Sequence, residues 1–569
     1  MLRSFTQSIR SRCARTAAWS TLLAVTCLVV PPAVLAATPP DAVVKAVLKA
    51  EKRKAITGSE RREYLQQWRY STRQAKVLSA AGKVARAGEI GHVRNITLGL
   101  ARRSQLTAER LPATFANLAA TTYIMKSRPY PTHEARIQIP GDPVVYGFYS
   151  GRGVQFQPLF TFSLANILYG LHDDAGLREI ADRLNELKVT GRGYATWEYY
   201  FPFQGGNPPW VSGMAQATAI QVFARTWERT GDQKYLDIAR SGLTGFSRTP
   251  AQGGFMTYQG GGRWYLLYGF ASRQRILNGQ LQALIGLFDY YEITNDEQAR
   301  ERLNQGIAGV LPIMSKFDTG AWSLYELNGL EAELNYHDLM TSQLKKLYNR
   351  TTMVEFADQA HRFETYRATP PQVVVPTQAL LPVYPVLDGF RDSFRLKYFV
   401  DKRARHVIRI QNGDGTLIST VPNEGTVVRT IRNDGPRGNF TLEWDGRDEH
   451  GDPVPAGGYT IHFTTTDIIG NRREGQLTQL IEVKRDVTAP QPVSVKVKTY
   501  GAHKTQIVLR VTDAESPYVV VKVQRRGKVL ATRRMAGKLA FIVNAPIAKV
   551  RGGFLLLTDT SGNQRRIDI

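Results

Sequence analysis

Between Phe156 and Tyr366 the sequence alternates apolar helical faces with short polar corners, and the corners recur. They fall at His172-Asp173-Asp174, Thr230-Gly231-Asp232, Thr294-Asn295-Asp296 and Asn349-Arg350-Thr351, with starts 58, 64 and 55 residues apart. A repeat of that length holds two helices and a connection, and such a unit buries its apolar face only against its neighbours. Leu277, Leu281, Leu284, Ile285 and Phe288 have the spacing of one buried helical face. Thr or Asn at a corner, followed by Asp, supplies the side-chain acceptor that starts the next helix. About four αα-hairpins of this kind close into an α/α toroid, with their long connections gathered at one mouth. The Gly- and aromatic-rich segments 190–212 and 253–274 are the connections expected there. Their Trp and Tyr rings are flat faces suited to stacking on sugars.

The flanks have a different character. Arg3, Arg10, Arg12 and Arg15 precede an apolar stretch from Ala17 to Val30, Pro31 and Pro32 break it, and Val34-Leu35-Ala36 follows. This is the pattern of a signal peptide over 1–36, and the apolar run is short for a membrane span. The only cysteines, Cys13 and Cys27, lie inside it, so the exported chain is expected to have no disulfide, thiol nucleophile or cysteine-held metal. The formal charge of +25 falls to +21 once the four arginines of this leader are removed. A basic exported protein meets anionic polysaccharide, wall polymers or lipid head groups at a cell surface, and export argues against nucleic acid.

Residues 37–150 form a basic helical N-terminal region, with 18 basic and 6 acidic positions between Asp41 and Arg128. Such a run is either a polyanion-binding face or a solvated helical surface. The toroid is expected over 151–368 and a Pro-punctuated linker over 369–385. Period-two alternation follows, with Asp445-Gly446 and Pro455-Ala456-Gly457-Gly458 turns. Two antiparallel Ig-like β-sandwiches are expected, over 386–486 and 487–569. The first, with Trp444-Asp445-Gly446-Arg447-Asp448 and Pro453 to Thr460, resembles the Ig-like module of flagellar hook-capping proteins, which implies packing and tethering.

No Walker loop, GxSxG elbow, HExxH or dinucleotide fingerprint occurs. The nine histidines are scattered without paired ligand spacing, so neither a metal nor a cofactor is expected. What stands out is a set of ordered motifs. Trp210-Val211-Ser212-Gly213-Met214-Ala215-Gln216 comes first, then Trp264-Tyr265-Leu266-Leu267-Tyr268 with Leu277-Asn278-Gly279 and Leu284 to Asp289. Asp318-Thr319-Gly320 to Tyr325-Glu326-Leu327, and Tyr336-His337 to Gln343-Leu344, complete the series. In this order they resemble the W-x-S-x-M-A-Q, W-Y-E-E-Y with L-N-G, D-T-G…Y-D-L and Y-H…Q-L motifs of D-glucuronyl C5-epimerases.

That resemblance implies an exported enzyme on a uronate-containing polysaccharide, working without metal or nucleotide. C5 epimerisation takes the proton alpha to the uronate carboxylate and returns one from the opposite face, with donors stabilising the enolate-like intermediate. By the matched motifs, Tyr268 and Tyr336 take the catalytic tyrosine positions and Tyr325 a further one. Asn278 takes a substrate-contacting position, and Trp210, Gln216, Trp264 and His337 join it as candidate binding residues. One departure stands out: the two family glutamates before Tyr268 are Leu266 and Leu267 here. Glu198, in an aromatic connection of the expected mouth, is a candidate replacement. The departure leaves a polysaccharide lyase and a non-catalytic surface binder open beside the epimerase. The leader pattern predicts that the exported protein begins at or near Ala37, which N-terminal sequencing checks; retention of Trp19 to Val30 would mark an anchor instead.

Overall fold

The computed structural model describes residues 41–412, 426–477 and 480–569. The expected signal peptide, with Cys13 and Cys27, lies outside them. The chain divides into two compact units, one ending at Thr365 and one running from Tyr366 to Ile569. No helix of the described residues is long and apolar enough to cross a membrane.

The first unit opens with α1 (Ala42–Lys52), α2 (Gly58–Ala80), α3 (Val84–Arg102) and α4 (Leu111–Ser127). An antiparallel meander of β1 (Arg136–Ile139), β2 (Asp142–Tyr149) and β3 (Gly153–Phe156) follows. Helix pairs then succeed one another: α5 (Pro158–Gly170) with α6 (Asp174–Leu187), and α7 (Gly213–Thr230) with α8 (Gln233–Leu243). The hairpin β4 (Met256–Gln259)–β5 (Gly262–Tyr265) precedes α9 (Leu277–Thr294) with α10 (Glu297–Val310), and α11 (Leu334–Thr351) with α12 (Val354–Ala368) closes the series. The first members of the pairs pack in chain order, α5 on α7, α7 on α9 and α9 on α11.

The corners carry this order. The chain leaves α5, α7, α9 and α11 through left-handed residues: His172 (φ 58°), Gly231 (68°), Asn295 (52°) and Thr352 (55°). A left-handed residue ends a helix by turning its last free carbonyls back onto the chain. Asp173, Asp232 and Asp296 then accept from the N–H groups of Gly176, Lys234 and Gln298 and start the partner helices. The fourth corner sits later than expected, because Asn349-Arg350-Thr351 are the last turn of α11. Across the row, Asp289 of α9 takes Arg225 of α7 at 2.9 Å and Arg350 of α11 at 2.6 Å, so one buried carboxylate ties three helices.

The expected division at residue 150 is corrected. β2 pairs with β3 across it. Glu89 of α3 accepts from the Gly151 and Gly153 N–H groups at 2.9 and 3.0 Å, and Asn117 of α4 holds Gln155 and the Phe156 N–H at 2.8 and 2.6 Å. The basic N-terminal helices and the helix pairs therefore share one framework. Part of their charge is spent inside it: Arg94 lies 3.5 Å over Trp68 and donates to the Trp68 carbonyl.

The second unit holds β6 (Val373–Val374), β7 (Phe394–Val400), β8 (Ala404–Asn412), β9 (Val427–Gly435) and β10 (Gly438–Trp444). β11 (Gly457–Asp467), β12 (Arg472–Gln476) and β13 (Ile481–Val483) complete its first module. Sheets ordered β10-β7-β6 and β12-β11-β8-β9, with β13 on β11, share a core that includes Leu396, Ile408, Trp444 and Ile461. The next module comprises β14 (Gln491–Tyr500), β15 (Lys504–Thr512), β16 (Val519–Arg525), β17 (Lys528–Met535), β18 (Lys538–Val543), β19 (Phe554–Thr558) and β20 (Gln564–Asp568). Its sheets β14-β15-β18 and β17-β16-β19-β20 share Ile507, Leu509, Val521 and Leu557.

Residues 369–385 are not the free linker expected. β6 pairs with β7, and Val383, fully buried in the first module's core, bridges to Val483. Pro punctuation signalled a linker, but an edge strand tolerates proline equally well. A fragment spanning 366–569 is therefore expected to fold alone with a β-type circular dichroism spectrum. A fragment starting at 386 loses Val383 and should be less stable by about 1.5–3 kcal/mol for that side chain alone, which denaturant titration of the two fragments measures.

Candidate active site

The connection between α6 and α7 begins as an irregular hairpin whose rings carry its structure. Tyr199 and Trp210 exchange backbone hydrogen bonds at 2.8 and 3.1 Å, and their rings stack at 4.1 Å with 4° between planes. The Trp210 indole donates to the Phe201 carbonyl at 2.8 Å. The second aromatic connection lies against this pair: the Tyr268 ring meets Trp210 edge-on at 5.8 Å and Phe203 at 5.3 Å, and Phe270 stacks on Tyr268 at 5.6 Å. Gly206 permits that approach, because a Cβ there would stand 2.4 Å from the Phe270 ring.

Tyr268, Tyr325 and Tyr336 come together although the sequence separates them. Tyr325 arrives on the loop before α11, and its carbonyl receives the Leu277 N–H at 3.2 Å. Tyr336 is in the first turn of α11, and its ring lies 4.7 Å from that of Tyr325. Tyr325 and Tyr268 both pack against the apolar cluster of Met214, Leu267 and Ile276. A fourth phenol, Tyr149 at the end of β2, joins them: it stacks on Phe201 at 4.6 Å and accepts from the Gln157 amide at 2.8 Å, and Tyr336 is near enough to oppose its ionisation. It was missed because Tyr149 lies upstream of every matched motif, in a segment showing only mixed strand and turn signals.

Burial sets the protonation of this cluster. Loss of water pushes the Tyr149 phenol up to about 12. It also raises Tyr268 and Tyr325; Tyr336 and Tyr149 raise Tyr268 further, and Tyr268 and Tyr336 raise Tyr325, since each would have to ionise beside the others. These three phenols therefore rest protonated. Arg152 opposes the rise at Tyr149, but burial outweighs it.

Two carboxylates attend the cluster. Glu134, in left-handed conformation (φ 65°) before β1, is half-buried, and burial raises its pKa; its charge reaches Tyr149. Glu326, next to Tyr325, acts electrostatically on both Tyr325 and Tyr268. Glu326 stood within a matched motif, whereas no local signal marked Glu134. The family glutamate positions are filled by packing instead: Leu266 is fully buried, and Leu267 joins Met214 and Ile276 in an apolar cluster against Tyr268 and Tyr325.

The other candidates divide. Trp210 borders the phenols, and Asn278 begins α9 with its side-chain oxygen buried and without a hydrogen-bond partner. Three more are committed to the framework. Gln216 donates to the Ala195 and Gly242 carbonyls at 2.7 and 3.1 Å. Trp264 is fully buried and stacks on Phe317 at 5.9 Å. His337 lies on the Trp322 ring at 3.8 Å, with its nitrogens 2.7 Å from the Ser323 hydroxyl and 2.8 Å from the Phe363 carbonyl.

Glu198, expected as a stand-in acid/base, is corrected on its partners. It is 1% exposed and grips Arg110 at 2.7 Å and Arg192 at 2.6 Å, with the Tyr200 hydroxyl donating at 3.1 Å. With its oxygens held by these partners, it anchors the connection that carries Tyr199 and Trp210.

Protonated phenols, carboxylates and stacked rings thus gather at the helix-pair connections, with Tyr268, Tyr325 and Tyr336 inside the span that the comparisons match. Residues 191–365 match the D-glucuronyl C5-epimerase C-terminus family, and residues 394–467 match the FlgD Ig-like domain. The chain is 32% identical to the D-glucuronyl C5-epimerase of Caenorhabditis elegans over 132 residues, 21% of either protein. It is 26% identical to an uncharacterized protein of Methanocaldococcus jannaschii over 164 residues, 28% of this chain and 53% of that one. The chain thus spans about half of one of these relatives and about a fifth of the other. Among solved structures, a sugar epimerase from a ruminal bacterium superposes with a TM-score of 0.30 at 11% identity, over 44% of this chain and 69% of that one.

The anchoring role of Glu198 is testable apart from chemistry. Glu198→Ala leaves two largely buried guanidiniums without their counter-charge and should cost about 3–5 kcal/mol of stability, read as a lowered denaturation midpoint.

Proposed function

We propose that the first unit closes as an α/α toroid and acts, outside the cell, as a C5-epimerase-like enzyme on a uronate-containing polysaccharide, without metal or nucleotide. The convergence of Tyr149, Tyr268, Tyr325 and Tyr336 on one aromatic-walled site carries this reading. A uronate ring stacks against the aromatic wall, and its carboxylate meets the phenol donors, with Arg152 as the nearby cation. A carboxylate, Glu134 or Glu326, takes the C5 proton, and the electron pair moves into the substrate carboxylate as an enolate. Hydrogen bonds from phenols hold that charge where it develops. A phenol on the opposite face returns its own proton to C5, and the configuration inverts. The second unit then serves as a pair of Ig-like sandwiches that tether the enzyme at a cell surface.

The protonated resting state of the phenols also favours a second reading. If a phenol gives its proton to the C4 oxygen instead of C5, the same enolate eliminates and the chain is cleaved as by a lyase. Deuterated water separates the outcomes: the epimerase reading expects deuterium at C5 with inversion, and the lyase reading expects the ultraviolet absorbance of an unsaturated uronate. Tyr268→Phe and Tyr336→Phe should each lower turnover about 100- to 10,000-fold with the melting temperature near wild type. No deuterium and no absorbance on glucuronate-, iduronate- and mannuronate-containing polymers would sink both enzyme readings and leave a polysaccharide binder.

A further inference from the structure

The second unit holds an uncompensated cluster of buried charge. Asp486 lies on the segment between β13 and β14, Asp513 directly follows β15, and Asp559 directly follows β19. One carboxylate oxygen from each lies within 4.8 Å of the others. Asp486 and Asp559 are 6% and 5% exposed. Local donors account for part of the set. Asp486 accepts from the Thr488 N–H and the Ser516 hydroxyl, Asp513 from the Glu515 and Ser516 N–H groups, and Asp559 from the Asn563 N–H through Oδ1.

What remains points to a ligand. Oδ2 of Asp513 and Oδ2 of Asp559 are buried with no hydrogen-bond partner, and so is the Ser561 hydroxyl two residues further on. None of the described lysines, arginines or histidines pairs with any of the three carboxylates. Crowded carboxylates without a counter-charge are costly to bury. An all-oxygen donor set suits a hard cation. Calcium binds oxygens at about 2.3–2.6 Å, so any two of its ligands stand at most about 5 Å apart; magnesium demands a tighter octahedron. The observed spread fits calcium.

We propose that Asp486, Asp513 and Asp559 bind a calcium ion that stiffens the junction between the two β modules. The surrounding contacts place it there: Thr560, next to Asp559, donates to Asp388 of the first module, and Tyr384 donates to Glu515 at 3.0 Å. The histidine and cysteine pattern could not reveal this site, because its ligands are isolated aspartates on three separate turns.

The test uses the full chain, stripped with a chelator and titrated with calcium chloride by calorimetry, with thermal unfolding in parallel. The expected result is one calcium per chain, a raised melting temperature, and magnesium weaker by at least about tenfold. Asp513→Asn and Asp559→Asn should each weaken calcium by at least about tenfold, yet without calcium melt no lower than wild type, because a like charge has been removed. Absence of both heat and melting shift at millimolar calcium would overturn the site. So would wild-type affinity in both variants, or variants that without calcium melt well below wild type, since the carboxylates would then be structural acceptors only.

Discussion

The aromatic wall of the helix-pair connections depends on one buried carboxylate. Glu198 sits out of water between Arg110 and Arg192, and a charge so placed is tolerable only while both partners stay in reach. Arg110 lies at the start of α4, and its neighbour Glu109 accepts from the Thr190 and Gly191 N–H groups at 3.1 and 2.9 Å. Two adjacent residues of the N-terminal helices thus pin the same connection at two points. The stacked Tyr199–Trp210 pair is carried on the chain between those pins and α7. That arrangement makes the N-terminal helices a working part of the site.

The chemistry of the site follows from what surrounds the phenols. With leucines at 266 and 267, the side of Tyr268 that the family lines with carboxylates is apolar here. Removing water leaves the phenols protonated, and the nearby carboxylates Glu134 and Glu326 push the same way. The proposed reaction rests on that state, with phenols donating protons and Glu134 or Glu326 accepting one. Asn278, at the start of α9, keeps a buried side-chain oxygen without a hydrogen-bond partner.

Much was legible in the residue order. Left-handed and N-cap residues at the corners are local preferences, set by neighbours within one turn of the chain, so the helix pairs could be read directly. The strands of the second unit could be read for the same reason: alternation along Phe394–Val400 and Lys504–Thr512 follows from side chains taking opposite faces of a strand. The epimerase-like motifs marked Tyr268, Tyr325 and Tyr336, and those three do meet.

What the order could not express is which polar atoms are already spent. Gln216, Trp264 and His337 stood in motifs beside the tyrosines, yet their partners, Gly242, Phe317 and Phe363, lie 26, 53 and 26 residues away. Nothing local distinguishes a histidine that binds a ligand from one held on a tryptophan face. Tyr149, Glu134 and the three aspartates of the β unit were likewise hidden, since each gains its role from residues distant in sequence. The sequence by itself determined the helix pairs, the strand alternation and the tyrosines in their motifs, because short-range sterics and hydrogen bonding decide those. Only the tertiary structure decided which carboxylates are free, which are locked and which phenols keep their protons, because charge and desolvation act through space.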